Sequence, residues 1–174
     1  MALPPGAAIR AARAGELPLL GAIERNAAQL FTTVDLGSLL DKEPASLEFV
    51  RAIATSGVVL VATVDEASVG FALVGFLDRA AHLHELSVMV EHGRKGLGSA
   101  LVAETCRWAA AEGAPAVTLS TFRDVPWNGP FYARLGFRYL RPPEWTPALY
   151  LLHHRERDIG LPAERRVFMR KDLR

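Results

Sequence analysis

The sequence predicts a single α/β layered domain over residues 1–174. Three observations point there. Stretches of strand and helix character alternate from one end of the chain to the other. Half of the 174 residues are hydrophobic and 22% are charged, the balance of a soluble protein with one sizeable core. No internal repeat or low-complexity tract interrupts the pattern.

Ala8 to Ala12 reads as a short first strand. Glu16 to Phe31 carries Leu17, Leu20, Ile23, Ala27 and Leu30 at helical spacing. Ser46 to Ala54 reads as a second helix, with Leu47, Val50 and Ile53 on one face. Val58 to Val64 and Ser68 to Leu77 are strands rich in Val and Phe, joined by a turn around Asp65 to Ala67. His82 to Val90 is the next strand. After Gly93 to Gly98 a long helix runs to about Ala111, burying Leu97, Leu101, Val102, Thr105, Trp108 and Ala109. Gly113 and Pro115 stop it. Ala116 to Thr121 is a strand, Pro130 to Leu135 a short helix, and Phe137 to Leu140 and Val167 to Met169 the last two strands. Between those two, Pro147 to Asp158 reads as a helix with Ala148, Leu151 and Leu152 inward, either covering a site or making a surface excursion.

Composition narrows the function. Twenty basic against nineteen acidic residues give a formal charge of +1, without the field that draws a protein onto nucleic acid. The apolar stretches, such as Val58 to Ala62, are far too short to span a bilayer, and Met1 to Gly6 lacks the features of a signal peptide. A single cysteine, Cys106, excludes an internal disulfide and a cysteine-built zinc cage. A cytoplasmic protein with neither a nucleic-acid nor a membrane partner is expected. Arg165, Arg166, Arg170, Lys171 and Arg174 crowd the C-terminus and read as a solvated end.

Three motifs carry chemistry. The first is His92-Gly93-Arg94-Lys95-Gly96-Leu97-Gly98-Ser99, between a strand and a helix. Unpaired N–H groups at a helix N-terminus attract phosphate oxygens, and glycines let the backbone approach them. Arg94 and Lys95 add positive charge. A phosphate-binding Walker loop would need Ser or Thr after its lysine, and a dinucleotide fingerprint would need a small residue at Leu101, so neither fits.

The second is His82-Leu83-His84-Glu85, in which ideal strand geometry puts both histidines on one face and Glu85 with Ser87 on the other. An alkylammonium of pKa ~10 is only about one part in a thousand neutral at pH 7, so a nearby proton acceptor matters. Histidine, at ~6.5, suits that task. A third metal ligand is not evident beside the pair, and no metal is expected. The third motif is Pro130-Phe131-Tyr132-Ala133-Arg134-Leu135-Gly136-Phe137, a short helix closed by Gly136, with Phe131, Leu135 and Phe137 inward.

Together these stretches resemble the GNAT superfamily of acetyl-CoA-dependent N-acetyltransferases. Gly96 and Gly98 match the small positions of its pyrophosphate loop, while Gly93 stands where the family usually has Arg or Gln. Val88 and Val90, flanking Met89, match strand residues whose backbone holds the pantetheine arm in that family. His82 and His84 are similar to the paired histidines of arylalkylamine (serotonin) N-acetyltransferases, and Glu85 matches the strand glutamate used elsewhere in the superfamily. Tyr132 matches a tyrosine near the thioester sulfur, a general acid for the leaving thiolate. The family often has Asn seven residues before it, where this chain has Val125, and Asn128 is the candidate for that contact.

The resemblance implies a mixed, mostly antiparallel sheet of about seven strands flanked by helices and splayed at the cofactor cleft. It implies cofactor contacts from Val88, Met89, Val90, Arg94, Lys95, Gly96, Leu97, Gly98, Ser99 and Asn128. The implied reaction moves an acetyl group from acetyl-CoA, a co-substrate, to the primary amine of a small molecule, by direct attack in a ternary complex. Protein or peptide N-acetylation, a non-catalytic acyl-CoA sensor of the same fold and homodimerisation stay open.

Overall fold

The computed structural model describes residues 3–173; Arg174 of the basic tail and the first two residues of the N-terminal segment lie outside them. Seven strands form one sheet: β1 (Ala7–Ala11), β2 (Val58–Val64), β3 (Ala67–Leu77), β4 (Ala80–Val88), β5 (Ala116–Phe122), β6 (Arg138–Tyr139) and β7 (Arg166–Asp172), in the order β1-β2-β3-β4-β5-β7-β6. The β1/β2, β2/β3, β5/β7 and β6/β7 pairs are antiparallel, and β4/β5 is parallel. The helices are α1 (Leu20–Ala28), α2 (Leu47–Ser56), α3 (Leu97–Ala111), α4 (Gly129–Arg134) and α5 (Pro147–Asp158). The mixed, mostly antiparallel sheet with flanking helices is the predicted fold class. Among the described residues, no helix is long and apolar enough to cross a membrane.

The chain divides into two compact units interleaved in sequence, Met1–Gly75 with His84–Thr105, and Phe76–Leu83 with Cys106–Arg174. In unit 1, Leu20 and Ile23 of α1 and Val50 and Ile53 of α2 pack on Val59, Val61, Phe71 and Leu73 of β2 and β3. The predicted helix from Glu16 to Phe31 is broken into a 3-10 segment (Ala14–Leu19), α1 and a second 3-10 segment (Gln29–Val34). Pro18 lies inside the first segment, where it has no N–H to donate, so regular α-helix begins only after it. Ser46 caps α2 by accepting from the Phe49 amide at 3.2 Å. The β2–β3 hairpin turns on Asp65 and Glu66, both with positive φ (48° and 68°), the pattern of a type I′ turn.

In unit 2, β5 and β7 pair from Ala116↔Asp172 to Phe122↔Arg166, longer than the three apolar residues of β7 suggested. The extra length consists of the charged residues Arg166, Arg170, Lys171 and Asp172, paired through the backbone. The C-terminal cations are not simply a solvated end. Arg166 donates to Glu156 Oε1 at 2.8 Å and to Ser120 Oγ at 2.9 Å, with its guanidinium over the Phe122 ring. Lys171 Nζ donates to the Leu135 carbonyl at 2.8 Å.

Helix α5 forms at the predicted bounds but turns a different face inward. Leu149 and Glu156 are buried and Leu152 packs beside Leu140 and Phe168, while Leu151 is 72% exposed. Spacing of apolar residues alone misplaced the face because one of its inward positions is the ion-paired Glu156. The segment helps wall a cavity of ≈ 430 Å³ that includes Thr118, Leu140, Leu149 and Arg170 but no candidate catalytic or cofactor residue.

Candidate active site

The glycine loop belongs to unit 1. Strand β4 ends at Val88, two residues earlier than predicted, because Val90–His92 winds into a 3-10 turn closed by His92 N–H to Met89 O (2.9 Å). Arg94 (φ 56°) and Gly96 (φ 86°) then adopt left-handed backbone, and α3 starts at Leu97. Left-handed residues just before a helix N-terminus turn successive N–H groups toward one point, the geometry of an anion-binding nest. Glycine makes this free of Cβ strain at Gly96; Arg94 adopts it despite its side chain. Lys95 does not simply offer its charge outward, since Nζ donates to the Glu91 carbonyl at 2.9 Å and braces the loop.

The loop is also held from α1. Asn26 Oδ1 accepts from the Val90 amide at 2.8 Å, and Met89 N–H donates to Val69 O at 2.9 Å. The amides of Met89 and Val90 are thus satisfied within the protein.

His84 is half-buried, its ring edge-on to Phe49 of α2 at 5.4 Å between centroids. Gly75 lies beneath it: a Cβ there would come within 3.0 Å of His84 Nε2 and of Ile53 Cδ1, so a larger residue would displace the imidazole. Glu85 accepts from Ser87 Oγ at 2.8 Å. The half-buried Glu24 of α1 has its carboxyl pushed up to about 8, first by desolvation and then by the negative charge of Glu85; a bond from the Ala45 amide (3.1 Å) and the charge of Arg25 oppose this. His84 and Glu85 thus both have neighbours on the N-terminal helices, where ideal alternation would divide them.

The remaining candidates lie in unit 2. His82 is buried (2% exposed), with Nδ1 2.9 Å from Thr118 Oγ1, its partner in the parallel β4/β5 register. That register covers Ala81↔Val117 to Leu83↔Leu119. Tyr132 is buried on α4, its ring packed against Phe131 and Phe137 at 5.0 and 5.7 Å. Phe137 is inward as expected, but Phe131 and Leu135 are only half-buried and Tyr132 takes the inward position. Gly136 (φ 90°) ends the helix region as predicted. Asn128 precedes α4 without a side-chain capping bond, and its amide donates to Val125 O at 2.9 Å.

The candidates therefore fall into two sets. His84, Glu85, the Val88–Val90 segment and the glycine loop belong to unit 1, and His82, Tyr132 and Asn128 to unit 2. Their surroundings differ in charge. Unit 1 has seven Lys and Arg against eleven Asp and Glu, a formal −4; unit 2 has thirteen against eight, a formal +5. Chemically, the first set offers an anion cradle and proton acceptors, and the second a buried phenol and an anchored imidazole. Sequence reasoning missed Asn26, Glu24 and Thr118. The only signal for the first two was polar residues on a helix otherwise read for its apolar stripe, and Thr118 resembles any β-branched strand residue.

Comparison with known proteins agrees with the fold. A sequence-family model described as the Acetyltransferase (GNAT) family matches residues 27–137. Among solved structures, PaiA N-acetyltransferase from Thermoplasma acidophilum, in complex with coenzyme A, is similar with a TM-score of 0.67 at 18% identity, covering 95% of this chain and 98% of that one. The ribosomal-protein-S18-alanine N-acetyltransferase from Escherichia coli gives 0.64 at 16% identity, covering 96% and 94%. N-acetylglutamate synthase from Neisseria gonorrhoeae, complexed with coenzyme A and N-acetyl-glutamate, gives 0.72 at 17% identity over 97% of this chain, which spans only 35% of that longer one. With the family model covering well over half of its length, the chain belongs to the GNAT acetyltransferase family and is an acetyl-CoA-dependent acyltransferase.

Proposed function

We propose that the protein acetylates the primary amine of a small molecule, the amine attacking acetyl-CoA directly within a ternary complex. The observation that carries this reading is the pair of left-handed residues, Arg94 and Gly96, set before the N-terminus of α3 in the loop that follows the strand bearing His84 and Glu85. In this reading the amides of Arg94 to Ser99 hold the pyrophosphate, with Arg94, Lys95, Leu97 and Gly98 part of the same cradle. The Val88 amide polarises the thioester carbonyl, an oxyanion-type contact. A base on the β4 strand (His84, Glu85 or His82) takes a proton from the substrate ammonium, and the neutral nitrogen bonds to the carbonyl carbon as the C–S bond breaks. Tyr132 gives its proton to the thiolate and recovers one from the amide nitrogen through solvent. Asn128 lies beside this phenol in sequence and serves the cofactor. The chemistry assigns no step to a metal.

The acidic balance of unit 1 favours a cationic acceptor, and the half-exposed Phe49 beside His84 offers its carbon skeleton an apolar wall. The test is release of free thiol from acetyl-CoA with a panel of small amines and of N-terminal peptides, using wild type, His84→Ala and Tyr132→Phe. A small amine should be the best substrate; Tyr132→Phe should lose about a hundredfold in kcat/KM, and a loss of that size in His84→Ala would single out His84 among the three bases. Turnover confined to peptides would replace this acceptor class with protein N-acetylation. Coenzyme binding without turnover of any amine would leave only an acyl-CoA sensor.

A further inference from the structure

The cavity beside α5 lies within unit 2, and its ≈ 430 Å³ falls inside the roughly 300–1,000 Å³ of small-molecule sites. Leu77, Ala80, Leu140 and Leu149 form its apolar wall, the last three of them buried. Arg79, Arg138 and Arg170 also line it, against Asp78, Glu144 and Asp172. The two sets are equal in formal charge but unequal in hydrogen bonding. Arg170 uses its Nε–H on Asp172 Oδ1 and Arg138 an Nη1–H on Glu144 Oε1, each at 2.7 Å. Glu144 Oε2 is taken by the Arg141 amide and Nε, at 2.9 and 3.3 Å. Among the described residues, both Nη groups of Arg170, Nε and Nη2 of Arg138 and the whole Arg79 guanidinium have no acceptor.

Strand register supplies a second observation. Arg138 of β6 stands directly opposite Arg170 of β7, and Arg170 directly opposite Thr118 of β5, so the three share one face of the sheet. Like charges in that relation are destabilising. Asp172 and Glu144 offset the two cations one by one, and no described acceptor bridges them. We propose that this cavity is a ligand site for a small organic monocarboxylate, held by Arg138 and Arg170 together with its carbon skeleton against Leu140 and Leu149. Guanidinium forks match the plane of a carboxylate and grip it through paired N–H bonds. The formal balance of the lining favours a single negative charge over a phosphate dianion. The apolar wall favours an organic body over a bare ion. Arg79, in the turn before β4, adds donors at the rim. None of the residues assigned to acetyl transfer lines the cavity, so the site stands whichever amine the protein acetylates.

The experiment is an NMR titration of the isotope-labelled full-length protein, without acetyl-CoA. The probes are phenylacetate, its neutral isostere phenylacetamide, and phenyl phosphate. Phenylacetate should shift the amide signals of Ala80, Leu140, Leu149 and Arg170 saturably. Phenylacetamide and phenyl phosphate should each bind at least about tenfold more weakly. Arg138→Gln and Arg170→Gln should each weaken phenylacetate by about tenfold and leave phenylacetamide unchanged. No saturable shift at those positions overturns the proposal, as does wild-type affinity for phenylacetate in either variant. An amide or a phosphate ester that binds as tightly as the carboxylate overturns it too. That series of probes is read on wild type, so the test decides even where a variant fails to fold. Acetyl transfer plays no part in the measurement, and an inactive protein that passes it would strike the acceptor reading alone.

Discussion

Each unit sets a glutamate into a helix packed against the sheet, and the two are handled in opposite ways. In unit 2, Glu156 of α5 is clamped by Arg166 through bonds of 2.8 and 3.3 Å, with both side chains nearly out of solvent. In unit 1, Glu24 of α1 receives one backbone amide and faces the charge of Glu85, and its carboxyl is pushed up to about 8. A guanidinium holds the first carboxylate and so ties α5 to β7. The second is left able to gain or lose a proton near neutrality, which costs stability and is common where proton traffic occurs. The lesson is that burial alone does not assign a carboxylate its role; the counter-charge does.

The comparison breaks most visibly at Glu156. Glu156→Ala should destabilise the protein by about 3 kcal/mol, because Arg166 is left buried without its counter-charge. Urea unfolding measures it, and the pair Glu156→Leu with Arg166→Met should recover most of the loss. A single variant as stable as wild type would mean the clamp contributes nothing.

The next effect is a pH dependence. Glu24 has a folded value of about 8 against ~4.3 in an unfolded chain. Between those values the folded state holds a proton that the unfolded state has lost, so stability falls as pH rises through the window. Allowing for partial exposure, roughly 2 kcal/mol should disappear between pH 5 and 9. Glu24→Gln should flatten that slope. A slope as steep in the variant as in wild type would place the titrating group elsewhere.

The smallest effect sharpens the contrast on the same helix. Asn26→Ala removes the acceptor for the Val90 amide. Loosening the turn before the glycine loop should weaken coenzyme A binding by about 1 kcal/mol, near fivefold in Kd, with little change in melting temperature. Calorimetry that found wild-type affinity would show that the loop holds its shape without α1.

Much of this architecture was legible before any coordinates. Local signals fixed β2 and α5 at their bounds, because Val-rich runs and a Thr-Pro helix start are written in neighbouring residues. The glycine loop was legible for the same reason. What was not legible depends on partners distant in sequence. Nothing in the residues around it marks Glu156 as buried, because its counter-charge is Arg166 on another element, and apolar spacing points to Leu151 instead. Pro18 was visible but was outweighed by the apolar stripe that runs through it. Thr118 lies thirty-six residues from His82, and only the register of two parallel strands brings them side by side.

Helix α1 is nine residues long, shorter than the ~12–15 at which a helix persists unaided in water. Its shape lasts only while Leu20 and Ile23 stay lodged against Phe71 and Leu73. Asn26 and Glu24 thus inherit their places from two hydrocarbon side chains of the same helix. A methylene trimmed from that oily seam would be felt first as a slackened grip at Val90, well before the chain as a whole came undone.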